Sequence, residues 1–191
     1  MNRRIVYVHG FNSSPASAKA RVLRERLERL GRGGDFLCPA LPHRPADAAR
    51  VLHAALTGAD PAALTLLGSS LGGFYATWYA ERSGCRVVLV NPAVRPWELF
   101  ADYLGPQKNL YTGEEYVLTP RHIEKLRALE VEPVTRPERY LVLLGTADEV
   151  LDYRRAVEKY RGAVQVVVQG EDHGFGAFAD YLDLIIDFAD A

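Results

Sequence analysis

Short apolar runs rich in Val, Ile and Leu alternate along the chain with longer segments in which apolar residues recur every three or four positions. The short runs predict buried strands, and the longer segments predict amphipathic helices. Strands are predicted at 5–8, 35–38, from 63 to the small residues that begin at 68, at 86–90, at 140–144 and at 164–168. Helices are predicted from 17 to a stop at 31, between Pro45 and Gly58, over 74–82, 97–104, 120–129 and 152–161, and near the C-terminus, where Phe178, Leu182, Ile185 and Phe188 share one stripe.

This alternation predicts an α/β fold. Strands that alternate with helices favour a mostly parallel sheet covered by helices on both faces, here with six strands. The 191 residues are within the range of one domain, predicted to span 1–191. The alternation is interrupted at 91–138, where the two helices predicted at 97–104 and 120–129 flank a polar loop. We interpret 91–138 as an insertion.

The stretch that follows the third predicted strand carries the clearest motif. Gly68-Ser69-Ser70-Leu71-Gly72 fits G-x-S-x-G, the sharp strand-to-helix turn that presents a nucleophilic serine above a sheet. Only Ser70 has glycines two residues away on both sides; Ser69 would have leucines there. A glycine-rich turn with incidental serines is the alternative, but the predicted strand before the motif and helix after it favour Ser70 as a nucleophile.

A serine nucleophile requires a base, and the base requires an orienting carboxylate. In α/β-hydrolases these follow the serine in the order acid, then histidine. Asp148 follows the fifth predicted strand and His173 the sixth. Loops at the carboxyl ends of parallel strands meet at one edge of a sheet, so we predict that Ser70, Asp148 and His173 form a triad.

Other acidic residues compete for the carboxylate role. Glu149, Asp152 and Asp172 lie close to Asp148 or His173 in sequence. Asp152 is better explained as the N-cap of the next helix. Asp172 is adjacent to the histidine, and neighbouring side chains usually point apart. We therefore favour Asp148.

A developing oxyanion requires donors that already point at it. The residue after the nucleophile supplies one backbone N–H, here that of Leu71, and the loop after the first strand usually supplies another. His9-Gly10-Phe11 fits this second role, with the Phe11 N–H as donor. We interpret His9 as structural, with its side chain bonded to its own loop.

The composition mainly excludes certain classes of protein and site. A formal net charge of −1, 48% hydrophobic and 25% charged residues are ordinary for a soluble chain and favour no nucleic-acid or membrane surface. Cys38 and Cys85 are interpreted as reduced strand thiols, and no histidine pair has zinc-ligand spacing. We expect no metal and no cofactor. No apolar run is long enough for a signal peptide or membrane span, so a cytoplasmic location is expected.

Several further stretches together indicate a family. These stretches are 9–15, 68–77, 91–96, 102–105, 111–113 and 148–153. In them the chain closely resembles the YqiA-like esterases, which are small bacterial α/β-hydrolases. The resemblance implies a minimal α/β-hydrolase fold, esterase activity on short acyl esters and acyl-CoA thioesters, and a triad of Ser70, Asp148 and His173. One departure is Gly145-Thr146-Ala147-Asp148, where the family more often has Thr-Gly-Asp.

In such enzymes 91–138 falls where a small helical cap is inserted. We hypothesise that Trp97, Leu99, Phe100 and Tyr103 help to form the wall of an acyl pocket; packing of the insertion onto the domain explains the same residues. The function predicted is hydrolysis of a small-molecule acyl ester or thioester. Amide or peptide hydrolysis, acyl transfer, and a non-catalytic binding protein of the same fold are the alternatives.

Overall fold

One parallel sheet forms the centre of the computed structural model, which describes residues 3–191. Its strands are β1 (Arg4–Val8), β2 (Phe36–Leu37), β3 (Leu64–Ser69), β4 (Arg86–Val90), β7 (Tyr140–Gly145) and β8 (Val164–Val168), and a separate pair is formed by β5 (Gly105–Lys108) and β6 (Glu115–Leu118). The sheet order is β2-β1-β3-β4-β7-β8, and all its neighbouring strands are parallel. The prediction of a six-stranded parallel sheet is therefore confirmed.

Helices cover both faces of this sheet. They are α1 (Ala18–Arg29), α2 (Pro45–Leu56), α3 (Leu71–Ser83), α4 (Pro96–Phe100), α5 (Pro120–Arg127), α6 (Tyr153–Lys159) and α7 (Leu182–Asp190). None of the helices in the described part of the chain has the length and apolar content required to cross a bilayer.

The continuous apolar runs of the strands fill two cores. Successive side chains of a strand point to opposite faces of the sheet. Val6 and Val8 of β1 therefore join the core that includes α2 and α3, whereas Ile5 and Tyr7 join the core that includes α1 and α7. A sheet buried on both faces requires apolar residues at every position. The central strands therefore appear in the sequence as uninterrupted apolar runs, which is why they could be predicted.

Helix α3 begins earlier than the sequence predicts. It starts at Leu71 rather than at 74, because the tight turn at Ser70 leads directly into the first helical residue. Gly72 and Gly73 have low helix propensity, so the sequence did not indicate that the helix begins before them. The helix ends at Ser83 and is capped by Gly84, which has φ 82° and so takes the left-handed conformation that glycine tolerates best.

The segment between β4 and β7 differs most from its prediction. The helix predicted at 97–104 ends as α4 at Phe100 and continues as a short 3₁₀ turn over Ala101–Tyr103. The predicted polar loop is wrong, because β5 and β6 form an antiparallel hairpin there. Asn109 stabilises the hairpin turn by accepting hydrogen bonds from the N–H groups of Tyr111 and Thr112 at 2.9 and 3.1 Å.

The hairpin is joined to the loop that follows β1. The Tyr116 hydroxyl donates to Asn12 Oδ1 at 2.7 Å, and Asn12 Nδ2 donates to Gln107 Oε1 at 3.3 Å. Asn109 Nδ2 donates to the Ser13 carbonyl at 3.0 Å. These contacts connect both strands of the hairpin and its turn to residues next to Phe11.

Candidate active site

Ser70 lies in the turn between β3 and α3, with φ 54° and ψ −124°. A positive φ is unfavourable for a residue with a side chain, so the surrounding structure must impose this conformation. The glycines of the motif allow it by removing side chains from a crowded turn. A Cβ at Gly72 would overlap the Val8 carbonyl, and one at Gly68 would come within 2.5 Å of the Gly72 carbonyl oxygen. The turn leaves Ser70 partly exposed at the carboxyl edge of the sheet.

The loops after β3, β7 and β8 bring the three predicted side chains together. Ser70 Oγ is 3.1 Å from His173 Nε2. His173 Nδ1 lies 2.9 and 3.0 Å from the two carboxylate oxygens of Asp148. All three distances permit hydrogen bonds, so a hydroxyl, an imidazole and a carboxylate form one continuous chain.

The Asp148 carboxylate is held in place by its own loop. Its Oδ1 accepts hydrogen bonds from the N–H groups of Val150 and Leu151 at 2.9 and 2.8 Å. Its side chain is 1% exposed, compared with 23% for His173. A buried carboxylate with these donors has one orientation, and that orientation faces the imidazole.

The rival acids have other partners. Asp152 is the N-cap of α6, as predicted, and accepts the Arg154 N–H at 3.1 Å. Asp172 accepts the Phe175 N–H at 3.1 Å. Glu149 accepts the backbone N–H of His173 at 3.1 Å, so it contacts the histidine loop rather than the imidazole.

Asn91, which the sequence analysis gave no role, connects two of these loops. It follows β4, is 2% exposed and has φ 41°. Its Oδ1 accepts the Gly145 N–H at 2.8 Å, at the start of the loop that carries Asp148. Its Nδ2 donates to the carbonyls of Asp172 and His173 at 2.9 and 3.3 Å. The only sequence signal was its place directly after a buried strand.

The loop after β1 lies against the serine turn. A Cβ at Gly10 would be 3.3 Å from Ser70 Cβ, so glycine allows this close approach. Phe11 and Leu71, whose N–H groups are the predicted oxyanion donors, both line one small cavity with Ser70 and His173. Both residues are thus at the site.

The His9 side chain connects this loop to the segment after β2. Its Nε2 accepts the Leu41 N–H at 3.0 Å, and its Nδ1 lies 3.1 Å from the Gly10 carbonyl. Both contacts are satisfied when Nδ1 carries the proton of a neutral ring. Burial lowers the pKa of His9, which favours the same neutral form. These contacts are those of the structural role expected for His9.

Two cavities meet at Ser70. The smaller has a volume of about 160 Å³, and it is lined by Leu99, Phe100 and Tyr103, three of the four residues of the acyl-pocket hypothesis. Trp97 departs from that hypothesis, because it does not line this cavity; it is 7% exposed and packs edge-on against Phe74 with ring centroids 6.1 Å apart. The second cavity has a volume of about 430 Å³ and lies towards α1.

A third cavity is larger, at about 830 Å³, but it is lined by residues such as His43, Arg121 and His122 and by none of the triad. Its size alone does not make it the reaction site, since the predicted nucleophile and base lie elsewhere. Within residues 3–191, no group of three or more His, Cys, Asp or Glu side chains is arranged to hold a metal ion.

Comparisons with known proteins agree with this fold. The profile of the uncharacterised protein family UPF0227 matches residues 4–190. A UPF0227 protein from Serratia proteamaculans (strain 568) is 27% identical over 187 residues, which is 95% of this chain and 96% of that protein.

Solved structures with the same fold include Est1E from Butyrivibrio proteoclasticus, with a TM-score of 0.72 and 16% identity over 100% of this chain and 87% of that one. Mouse alpha/beta hydrolase domain-containing protein 10 has a TM-score of 0.72 and 18% identity over 98% and 89% of the two chains. These likenesses establish an α/β-hydrolase fold. Together with the family match over nearly the whole sequence, they confirm the resemblance seen in the motifs: the chain belongs to UPF0227, the YqiA family.

Proposed function

We propose that this protein is a serine hydrolase that cleaves short-chain carboxylic esters through Ser70, His173 and Asp148. The observation that carries the proposal is the continuous hydrogen-bonded chain from Ser70 Oγ to His173 Nε2 at 3.1 Å and from His173 Nδ1 to Asp148 at 2.9 Å. A serine hydroxyl is a weak nucleophile until a base accepts its proton, and this arrangement supplies the base and the group that orients it.

The reaction proceeds through an acyl-enzyme. His173 Nε2 takes the Ser70 proton while Oγ attacks the ester carbonyl, and Asp148 stabilises the resulting imidazolium. The N–H groups of Phe11 and Leu71 donate to the oxyanion of the tetrahedral intermediate. His173 then protonates the departing alcohol, and the same imidazole activates a water that releases the acid from Ser70.

The small cavity supports a short acyl chain. Its volume of about 160 Å³ is below the roughly 300–1,000 Å³ of a drug-sized ligand pocket. Its apolar lining from Leu99 and Phe100 is suited to a hydrocarbon chain, whose burial is worth about 0.8 kcal/mol per CH₂. A thioester presents the same acyl group to the same nucleophile, so acyl-CoA thioesters are included in the proposal.

A fluorophosphonate probe, which reacts with an activated serine, tests the proposal. We expect the probe to label the wild-type protein and not to label Ser70→Ala. Ser69→Ala is the matched control, because it removes the neighbouring hydroxyl of the same turn and is expected to remain labelled. An unlabelled, folded wild type would instead favour a non-catalytic binding protein.

A substrate panel then separates the related activities. We expect turnover of 4-nitrophenyl butyrate and butyryl-CoA to exceed that of the corresponding anilide. Faster release from the anilide would favour an amidase, and faster release only when a second alcohol or amine is added would favour an acyltransferase.

A further inference from the structure

The larger cavity at Ser70 is closed on one side by the beginning of α1. Ser17, Ala18 and Lys19 line it together with Ser70 and His173, and its volume is about 430 Å³. Its other polar walls include Tyr7. Burial raises the pKa of Tyr7, an effect that the nearby Ser69 and Ser17 hydroxyls partly oppose, so the phenol stays neutral.

The N-terminus of α1 has unused hydrogen-bond donors. Ser17 is the N-cap residue of this 12-residue helix, but its side chain makes no capping hydrogen bond. Within residues 3–191 its hydroxyl is buried and has no hydrogen-bond partner, although the Tyr7 phenol lies nearby, and the residue is only 8% exposed. The N–H groups of Ala18 and Lys19, two residues that line the cavity, likewise have no protein acceptor within residues 3–191. A helix N-terminus with free N–H groups attracts anions.

Lys19 adds a full positive charge to this wall. Its ammonium forms no hydrogen bond and no ion pair within the described chain, although the residue is half-buried. Burial lowers the pKa of Lys19, and Asp172 and Glu171 oppose this effect. Those carboxylates accept N–H groups of their own loop, from Phe175 and Ala177, and neither lines the cavity. The cavity wall therefore includes a lysine that forms no ion pair with an acid of residues 3–191.

The two cavities at Ser70 thus differ in chemistry, one small and apolar and one larger with a cation and free donors. We propose that the larger cavity is an anion-binding subsite, in which Lys19, the Ser17 hydroxyl and the α1 N-terminus bind a carboxylate or phosphate on the alcohol portion of the ester. The inference rests on the proposed ester hydrolysis. It defines the substrate as a short apolar acyl group joined to an anionic alcohol.

Two chromogenic esters of similar size test this subsite. One is 3-carboxy-4-nitrophenyl butyrate, and the other is its neutral 3-carbamoyl analogue. We expect wild type to favour the anionic ester, and Lys19→Met to lower the ratio of the two kcat/KM values by about tenfold, the effect of one charge-assisted hydrogen bond. Lys19→Arg should keep most of the preference, and 0.5 M NaCl should reduce it in wild type.

Lys125→Met is the matched control, because Lys125 lines the separate 830 Å³ cavity and not this one. It should leave the ratio of the two esters unchanged. Equal ratios in wild type and Lys19→Met, or an equal fall in Lys125→Met, would overturn the proposal.

A binding measurement keeps the subsite testable without turnover. The probes are 3-hydroxybenzoate and phenyl phosphate, and the readout is the rise in melting temperature of wild type and Lys19→Met. A rise that requires Lys19 supports the subsite even if the serine is not labelled, and the probe with the larger rise identifies carboxylate or phosphate. Equal rises in both variants, or none in either, would refute the subsite while leaving the fluorophosphonate result to judge the hydrolase.

Discussion

Replacing Asn91 should loosen the loops that carry Asp148 and His173 at the same time. Asn91→Gly removes three hydrogen bonds, to the Gly145 N–H and to the carbonyls of Asp172 and His173. Glycine tolerates the observed φ of 41°, so this substitution isolates the side-chain contacts from backbone strain. Asn91→Ala loses the same contacts and adds about 1 kcal/mol for a left-handed residue with a Cβ.

The magnitude follows from the groups left without partners. The Gly145 N–H is buried, and leaving such a group unsatisfied costs about 1–3 kcal/mol. With the Asp172 carbonyl added, we expect a total loss of about 2–4 kcal/mol. For a domain of this size each kcal/mol lowers the melting temperature by about 2–4 °C, so Asn91→Gly should melt roughly 10 °C below wild type.

The same change should slow the reaction of Ser70. A small displacement of a reacting group can lower a rate by about a hundredfold, so we expect fluorophosphonate labelling to be about 10–100-fold slower at a temperature where the variant is folded. Calorimetry and a labelling time course measure the two effects.

Glu81→Ala is the control for this experiment. It also removes three side-chain hydrogen bonds, but these join the end of α3 to Thr135 and Tyr140 rather than the proposed triad loops. It should lower the melting temperature with a much smaller effect on labelling. If Asn91→Gly melts within about 2 °C of wild type and is labelled at the same rate, Asn91 does not hold the two loops.

Three further predictions concern the site. Asp148→Asn should lower kcat for an ester by roughly 10³–10⁴-fold because the imidazole loses its orienting anion, whereas Asp172→Asn should keep most activity; the opposite order in steady-state kinetics would reassign the carboxylate. Leu99→Trp should fill the small cavity and lower the kcat/KM ratio of 4-nitrophenyl butyrate to acetate by about tenfold, and an unchanged ratio would mean that the acyl chain binds elsewhere. Burial lowers the pKa of His9 in the folded state, so the unfolded chain binds more protons below about pH 6.5 and His9 costs stability as pH falls below that value. Between pH 7.5 and 5, the melting temperature of His9→Gln should therefore fall less than that of wild type or of the exposed-site control His53→Gln. Parallel falls in all three proteins would contradict this.

The central strands were predictable because both their faces are buried. β4 has the predicted bounds, 86–90, and β7 extends beyond its predicted 140–144 by Gly145 alone. The edge strand β2 is shorter than predicted and covers only Phe36–Leu37, since a 3₁₀ turn occupies Gly33–Asp35. An edge strand has one neighbour, and the local conformation of glycine and aspartate then competes successfully with pairing.

The β5–β6 hairpin could not be predicted from the same signal. Its first strand begins with Gly105 and Pro106, and Val117 in the second is 56% exposed. A hairpin outside the main core has no uninterrupted apolar run, and glycine and proline disfavour strands. The sequence also could not predict that Trp97 packs in the core rather than lining the small cavity, because apolar packing and apolar pockets have the same composition.

The site was predictable where chemistry fixes residue type and order. A serine turn, a following acid and a following histidine indicated Ser70, Asp148 and His173, and these side chains lie within hydrogen-bond distance of one another. Their catalytic roles remain predictions. Asn91 was missed because its partners are 54, 81 and 82 residues away, and a single sequence contains no record of such contacts.

The link between the hairpin and the loop after β1 has a consequence for how such proteins diversify. Tyr116, Gln107 and Asn109 contact Asn12 and Ser13, so a change in hairpin length or register displaces the residues beside the proposed oxyanion donor. Homologues with identical triads but different hairpins are expected to process one and the same compound at different speeds. Grafting the hairpin of one homologue onto another should therefore shift the reaction rate of the recipient towards that of the donor, without any substitution at the reacting groups.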